Sequence, residues 1–285
     1  MRRKYHLNSP LWPKFAINGD TVDGNIPSTR VKSWSHLVEV INKDPLFNQA
    51  GQMLYRGQRF AHWGLTPNIA RLSGTGIYED EWAQQHLESF KYSIRGRTKI
   101  PVAQMLNDED VWSLGQHYGL WTPLLDWSRS PFVAMFFAFS ESDPKDESPK
   151  NYSRALFYLN KSKLEEFLTT DIFVNPLSSD HDRLISQDGL FTLSPSGQTS
   201  LELEILNALG ENDIDIDDAD VLKEYIFKIH IPLDTEQERL QCVNALKRMN
   251  IHYANLYPDV TGSSLHCNDL LTEHVRTAKQ EENNP

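Results

Sequence analysis

Polar side chains suited to chemistry are concentrated in residues 116–128, which read Gln-His-Tyr-Gly-Leu-Trp-Thr-Pro-Leu-Leu-Asp-Trp-Ser. Asp126 lies here between two leucines and a tryptophan. Because an unpaired buried charge is costly, this carboxylate is predicted either to be exposed by a turn or to lie in a cleft with partners. The unperturbed pKa of a histidine side chain lies near neutrality, so His117 could move a proton or bind a ribose. The stretch predicts a reactive centre around Asp126.

A second candidate group is the run Tyr55-Arg56-Gly57-Gln58, which follows an apolar segment. This pattern predicts a strand that ends at Arg56-Gly57. An arginine at a strand end can hold a phosphate or a carboxylate with its planar guanidinium group. The alternative is a salt bridge from Arg56 to an acid of the fold itself, and these residues leave both roles open.

Other kinds of reactive centre are disfavoured by spacing. A metal-dependent hydrolase would use His117 and Asp126 with His181 or Asp182, but the chain has no HxxxH or HxH pair. The chain also has no Gly-x-Ser-x-Gly elbow for a serine nucleophile. The acidic run 213–220 lacks the glycine and terminal glutamate of an EF-hand, so a solvated loop is predicted there.

Local patterns predict the elements that must position these residues. Ser128 or Ser130 can cap a helix and Pro131 suits its first turn, which predicts a buried helix over 131–140. Asn107 can cap a helix that leads to the central stretch. Further patterns predict helices at 79–97, 201–209 and 235–249, and strands at 154–159, 171–176 and 225–232.

Composition limits the class of protein. The 285 residues carry a net charge of −11, which disfavours a nucleic-acid partner. Two cysteines without a CxxC pair exclude a disulfide framework, and a cytoplasmic location is predicted. No apolar run approaches the roughly 18 residues of a membrane span, and no secretory signal or membrane partner is predicted. Strands and helices alternate without repeats or linkers, which predicts one α+β domain with a helical N-terminal part.

Four stretches together resemble the FRG domain family. They are Tyr55-Arg56-Gly57-Gln58 with residues 65–67 and Arg71; residues 116–120, Thr122 and 124–131; Arg183 with residues 187–192; and Ile229, Ile231 and Pro232 with residues 256–259 and Gly262. The resemblance spans about residues 33–270, so this range is predicted to be the FRG domain. An irregular arm over 1–32 would precede it and a disordered tail over 271–285 would follow.

The sequence departs from the family pattern at two places. Trp121 and Pro123 stand where the family usually has proline and arginine, so an anion contact by that arginine would be absent. Thr261-Gly262 replaces the usual Asp-Gly of the fourth motif. The resemblance therefore fixes the region of the fold better than the activity.

A more distant resemblance connects the chain to mono-ADP-ribosyltransferases of the arginine-serine-glutamate type. Tyr55-Arg56-Gly57 resembles their first motif, and Asp126-Trp127-Ser128 followed by Ala134-x-x-Phe137 resembles the second. Gln187-x-Gly189 falls at the third motif but lacks its glutamate. The resemblance implies an ADP-ribosyltransferase-like fold with a central mixed or antiparallel sheet. It also implies NAD as the substrate, no metal, and a bacterial toxin or antiphage effector as the biological role.

The resemblance also implies roles for the residues. Asp126, Arg56 and His117 would be catalytic, with Asp126 stabilising positive charge on the ribose and Glu202 or Glu204 in reserve. Either aromatic residue, Tyr118 or Trp127, would stack on nicotinamide. The cofactor-binding set is Tyr55, Gly57, Gln58, Gln116, Tyr118, Trp127, Ser128 and Gln187.

Two alternatives stay open at this point. In the first, the chain is a non-catalytic FRG module that binds a nucleotide or a protein ligand through Arg56, His117 and Trp127. In the second, Asp126 pairs with Arg56 or Arg183 and only ties the core together.

Overall fold

One mixed sheet carries the residues of interest. The computed structural model describes residues 5–20, 22–48, 52–97, 107–143, 153–168, 172–176, 182–197 and 200–283. The strands are Ala16–Ile17 (β1), Pro27–Arg30 (β2), Met53–Gln58 (β3), Leu124–Ser128 (β4), Ser153–Asn160 (β5), Phe173–Val174 (β6), Gly189–Leu193 (β7) and Ile226–Pro232 (β8). These eight strands of the described ranges lie in the order β1-β2-β8-β5-β3-β4-β7-β6.

Helices cover both faces of the sheet. They are Trp34–Lys43 (α1), Asn68–Arg71 (α2), Asp80–Ser93 (α3), Asp108–His117 (α4), Pro131–Phe139 (α5), Lys161–Leu164 (α6), Asp182–Ser186 (α7), Leu201–Glu211 (α8), Ala219–Leu222 (α9), Glu236–Arg248 (α10), Tyr253–Leu256 (α11) and Val260–Asn283 (α12). Helices α1, α5 and α10 share one core with the sheet, and α8 shares the opposite core. Helices α2, α3 and α4 pack on the end formed by β4, β7 and β6.

The two cores follow from strand alternation. Tyr55 contributes to the core under α5, whereas its neighbour Leu54 contributes to the core under α8. Successive side chains of a strand point to opposite faces, and burial on both faces selects apolar residues at nearly every position. All eight residues of β5 are buried for this reason, since β5 lies in the middle of the sheet.

The ladder between β3 and β4 is short. These two fully described strands pair antiparallel only at Tyr55 and Ser128. On their other sides, β3 pairs with β5 over six residues and β4 pairs with β7 over five. The chain therefore leaves a gap in the middle of the sheet beyond the Tyr55–Ser128 pair.

The α+β class and most local predictions are confirmed. Helix α5 begins at Pro131, with Ser130 as its cap, and α4 begins after Asn107, whose side chain accepts from Asp110 N. The predicted strand at Arg56-Gly57 is β3, and the predicted helix over 235–249 is α10 with a complete capping box. Each of these elements has a strong local signal, namely a cap, a turn or a clear period.

The irregular N-terminal arm needs correction. Residues Pro27–Arg30 form β2, which lies parallel to β8 and extends the sheet. Their polar sequence gives no apolar alternation, yet Ser28 and Thr29 are fully buried. Buried polar groups are tolerated when they are hydrogen-bonded, and Ser28 Oγ donates to the Asp23 carboxylate over 2.8 Å.

The predicted disordered tail also differs from the structure. Helix α12 continues from Val260 to Asn283 and so includes most of residues 271–285. The segment is polar, which suggested disorder, but glutamate, glutamine, lysine and alanine are strong helix formers. Among the described residues, no helix is both long and apolar enough to cross a lipid bilayer.

Candidate functional site

A cavity of about 320 Å³ lies at the gap between β3 and β4. Strands β3 and β4, helices α4, α5 and α7, and Tyr257 contribute to its wall. Gly57 lets α5 approach β3 closely, because a Cβ atom at this position would lie 1.7 Å from the carbonyl oxygen of Ala134. The Arg-Gly pair therefore combines a functional side chain with a position that excludes any side chain.

Arg56 bridges the gap with its side chain. Its Nη1 donates to the backbone carbonyl of Asp126 over 2.7 Å and lies 3.6 Å from Asp126 Oδ2. Burial lowers the pKa of the guanidinium, and the negative charge of Asp126 opposes that shift. Among the described residues, Arg56 Nη2 and the buried Nε have no hydrogen-bond partner. Arg56 thus keeps unused donors beside the cavity.

Asp126 presents a carboxylate that is held on one side and open on the other. Gln116 Nε2 donates to Oδ1 over 2.7 Å, and 55% of the side chain remains exposed. The Thr122 hydroxyl donates to Gln116 Oε1. Of the described residues that line the cavity, Asp126 is the sole carboxylate. Its Oδ2 is available to a ligand except for the long contact with Arg56.

Helix α4 supplies a polar wall through residues one turn apart. Ser113, Gln116 and His117 line the cavity, as expected for positions i, i+3 and i+4 of one helix face. The opposite side of the helix is buried, with Val111 and Trp112 in the core against β4 and β7. The capped start at Asn107 and the buried face together fix the rotation of α4.

The far wall is held by Arg183. Its Nε donates to Asp259 Oδ2 over 3.0 Å, and its Nη1 donates to the His117 carbonyl over 3.2 Å. Its guanidinium lies 4.8 Å from the centre of the Tyr257 ring. Burial, assisted by the charge of Asp126, raises the pKa of Tyr257 to about 12. Arg183 therefore ties α4, α7 and the loop before α12 together around the cavity.

Nine of the eleven sequence-predicted residues line this cavity: Tyr55, Arg56, Gly57, Gln116, His117, Asp126, Trp127, Ser128 and Gln187. Ser128 Oγ donates to the Gln187 carbonyl over 2.6 Å, and Gln187 Nε2 donates to the Leu256 carbonyl over 3.0 Å. Through these two hydrogen bonds, Gln187, the residue that follows α7, links β4 to α11. They show how motifs far apart in the sequence meet in space.

Two predicted residues lie elsewhere. Gln58 is buried on the α8 side of the sheet and its Nε2 donates to the Gly64 carbonyl over 3.2 Å. Gln58 is four residues from Leu54, which lies in the α8 core, so the two side chains leave the same face of β3. Tyr118 is 73% exposed and packs its ring against His117 outside the cavity wall.

The predicted stacking role of Trp127 does not fit its surroundings. Although Trp127 forms part of the wall, its side chain is buried in the α8 core. Its indole N–H donates to Thr192 Oγ1 over 2.9 Å. A ring fixed in this way has no free face for a ligand, whereas Phe137 and half-buried Tyr257 line the cavity.

The reserve carboxylates also lie away from Asp126. Glu202 lines a different cavity together with Asp23 and Lys228, and its Oε1 accepts from Leu65 N over 2.6 Å. Glu204 follows on the same helix, α8, and does not line the Asp126 cavity. Local sequence patterns do not show that α8 covers the face of the sheet opposite to α5.

Three residues of the cavity wall were not predicted from the sequence as site residues: Ser113, Phe137 and Tyr257. The helical period of α4 places Ser113 one turn before Gln116, and this signal was available. Arg183, the other predicted partner of Asp126, forms its ion pair with Asp259 instead. The contact between Arg56 and Asp126 agrees with the alternative in which these two residues pair.

The described residues do not support metal-dependent hydrolysis or a serine nucleophile at this cavity. No group of three or more His, Cys, Asp or Glu side chains there could hold a metal ion, and His181 lies outside the described ranges. Ser153, His230 and Asp23 contact one another in series, but all three are buried and do not line the cavity. That series therefore cannot act on a substrate bound near Asp126.

A family model described as the FRG domain matches residues 51–147. The chain contains an FRG domain over these residues. Searches of curated proteins and of solved structures gave no match. The matched part of the FRG domain protein contains Arg56, Gln116, His117 and Asp126, whereas Arg183 and Tyr257 lie beyond it. The wider boundaries, 33–270, stay a prediction.

Proposed function

We propose that this FRG domain protein binds NAD in the cavity and cleaves the bond between nicotinamide and ribose. The proposal includes an ADP-ribosyltransferase-like fold and the activity of an ADP-ribosyltransferase or an NAD glycohydrolase. One observation carries it: Arg56 offers unused donors and Asp126 offers an open acceptor beside the same cavity. One hydroxyl of a ribose can donate a hydrogen bond to the Asp126 carboxylate, and the other can accept one from the Arg56 guanidinium.

The cavity size suits part of NAD. Its volume of about 320 Å³ is at the lower end of the roughly 300–1,000 Å³ of small-molecule sites. This space fits the nicotinamide ribosyl half better than the whole dinucleotide. Phe137 and Tyr257 provide apolar surface for the nicotinamide ring. The predicted cytoplasmic location would give the protein access to NAD.

The chemistry requires stabilisation of positive charge. The bond between C1′ and nitrogen breaks, its electron pair passes to the nicotinamide nitrogen, and positive charge develops on the ribose. Water or the nucleophile of an acceptor then adds to C1′, and one proton is released. The Asp126 carboxylate would stabilise the ribose charge electrostatically, and His117 would accept the proton.

A non-catalytic binding module is the second candidate. It is favoured by the single carboxylate among the described residues of the cavity wall and by the lack of a glutamate in the third motif. In this case Arg56 and Asp126 recognise the hydroxyls of a nucleotide without breaking a bond. A toxin or antiphage role would then depend on ligand sensing instead of NAD consumption.

Nicotinamide release from NAD tests the proposal. We expect the wild-type protein to release nicotinamide and Asp126→Asn to lower the rate by about 100-fold or more, the usual loss for one electrostatic stabiliser of a transition state. The control is Asp220→Asn, which neutralises an aspartate whose side chain is 78% exposed on α9. This control should keep the wild-type rate.

Thermal unfolding with and without NAD separates the two candidates. A ligand that binds the folded state raises the melting temperature. A rise with NAD, together with no nicotinamide release, would support the binding module. No rise and no release from the wild-type protein would refute NAD as the ligand.

A further inference from the structure

We infer that Thr122 is a positioning residue for Asp126 and acts through the Gln116 amide. Thr122 is fully buried and does not line the cavity. Its hydroxyl donates to Gln116 Oε1, and Gln116 Nε2 donates to Asp126 Oδ1 over 2.7 Å. The three residues thus form a directed chain of hydrogen bonds that ends on the carboxylate of the cavity.

The direction of this chain follows from the surroundings of Thr122. Its Oγ1 accepts from Leu124 N over 3.2 Å, while its backbone N–H donates to Asn68 Oδ1 over 2.7 Å. The hydroxyl proton is therefore free to point at Gln116. Both backbone contacts hold Thr122 still, so its hydroxyl has a fixed position between α2 and β4.

A reversed Gln116 amide would place two acceptors against each other. Its Oε1 would face the Asp126 carboxylate, which when ionised can only accept hydrogen bonds. The hydroxyl at one end and the carboxylate at the other therefore select the same amide orientation. The selected orientation holds Oδ1 of Asp126 and leaves Oδ2 toward Arg56 and the cavity.

The consequence concerns the reacting geometry. A carboxylate that can rotate spends less time where charge develops, and small displacements of positioned groups reduce rates strongly. The catalytic part of this inference rests on the proposed function. The orientation of the Gln116 amide does not, because it is a property of the protein without ligand.

The test compares Thr122→Val, which keeps the shape and removes the hydroxyl, with Thr122→Ser, which keeps the hydroxyl. We expect T122V to lower kcat/KM for nicotinamide release about tenfold, as for loss of one hydrogen bond, and T122S to stay near the wild type. The matched control is Thr29→Val, since Thr29 is also fully buried and donates to the Pro10 carbonyl far from the cavity. T29V should keep the wild-type kcat/KM.

A second readout needs no activity. The side-chain amide resonances of Gln116, assigned through a Gln116→Ala variant, should be resolved and slow to exchange in the wild type and in T122S. In T122V they should resemble those of exposed glutamines. Unchanged amide resonances in T122V would overturn the inference, even if the wild type releases no nicotinamide and the proposed function fails. If T122V does not fold, Thr122→Cys takes its place, because a thiol is a weak donor.

Discussion

Gly57 sets the distance between β3 and α5. A Cβ atom there would lie 1.7 Å from a backbone oxygen and 2.7 Å from a backbone carbon of Ala134. No rotation of a side chain can relieve such a contact, so the helix would have to move. Since α5 also forms part of the cavity wall, the same shift would change the site.

We expect Gly57→Ala to destabilise the protein by about 3 kcal/mol or more, at or above the usual cost of overpacking. Urea unfolding measures the change. Gly210→Ala is the matched control, because a Cβ atom at Gly210 meets its first neighbour at 3.7 Å. This helical position should be neutral or slightly stabilised. A loss below about 1 kcal/mol in G57A would show that α5 adapts easily.

Residue types in the sequence predicted most of the site. The face of the sheet to which each side chain points could be known only from the fold. Arg56, Gln116 and Asp126 could be found from the sequence because they stand at predicted element ends. Gln58 and Trp127 were misplaced since the face of a strand residue depends on which helix covers each face. That information comes from contacts between segments far apart in the sequence, as between β4 and α8.

At the scale of elements, the N-terminal arm is fixed to the sheet by buried charge. Asp23 accepts from Ser9 Oγ at 3.0 Å and Asn18 Nδ2 at 2.9 Å, and it contacts Lys228 and His230 of β8. Burial favours the neutral form of Asp23, but His230 and Lys228 outweigh it and the pKa of this carboxyl is lowered. The arm therefore supplies the counter-ion of a lysine that is only 1% exposed.

We expect Asp23→Asn to cost about 3–5 kcal/mol, as when one partner of a buried ion pair is removed. Urea unfolding measures this loss, and limited proteolysis should show release of residues before β2. The ion pair of exposed Asp220 with half-buried Lys223 gives the comparison, because D220N should cost no more than about 1 kcal/mol. Equal effects of the two variants would contradict the anchoring role.

The predictability of an element depended on how local its signal is. Helix α10 has a capping box and a clear apolar period, and both are visible in the sequence. Strand β2 has four residues without such a signal and exists because β8 and Asp23 stabilise it. The gap between β3 and β4 likewise has no local signal, since a missing ladder depends on the path of two strands.

For the molecule as a whole, buried His230 and half-buried His62 and His252 make stability depend on pH. Burial lowers the pKa of His62, His230 and His252, so the folded state favours their neutral forms. The unfolded chain takes up protons at an ordinary histidine pKa of about 6.5, before the folded state does. Stability is therefore full above about pH 6.5 and falls as the pH decreases below it.

We expect the free energy of unfolding to decrease between pH 7.5 and pH 5.5, measured in urea at several pH values. The His252→Gln variant should decrease less steeply. His252 stacks on His266 of α12 with ring centres 4.4 Å apart, and the charge of Lys247 also disfavours its protonation. Parallel pH curves for H252Q and the wild type would contradict this assignment.

The gap between β3 and β4 has a mechanical consequence. Strands β1, β2, β8, β5 and β3 form one panel of the described sheet, and β4, β7 and β6 form the other. The backbone seam between the panels is one residue pair, supplemented by Arg56. A ligand that accepts from Arg56 and donates to Asp126 would add a rung across this seam. Ligand binding in the cavity would then restrict the motion of the two panels relative to each other, and the whole sheet would become more rigid.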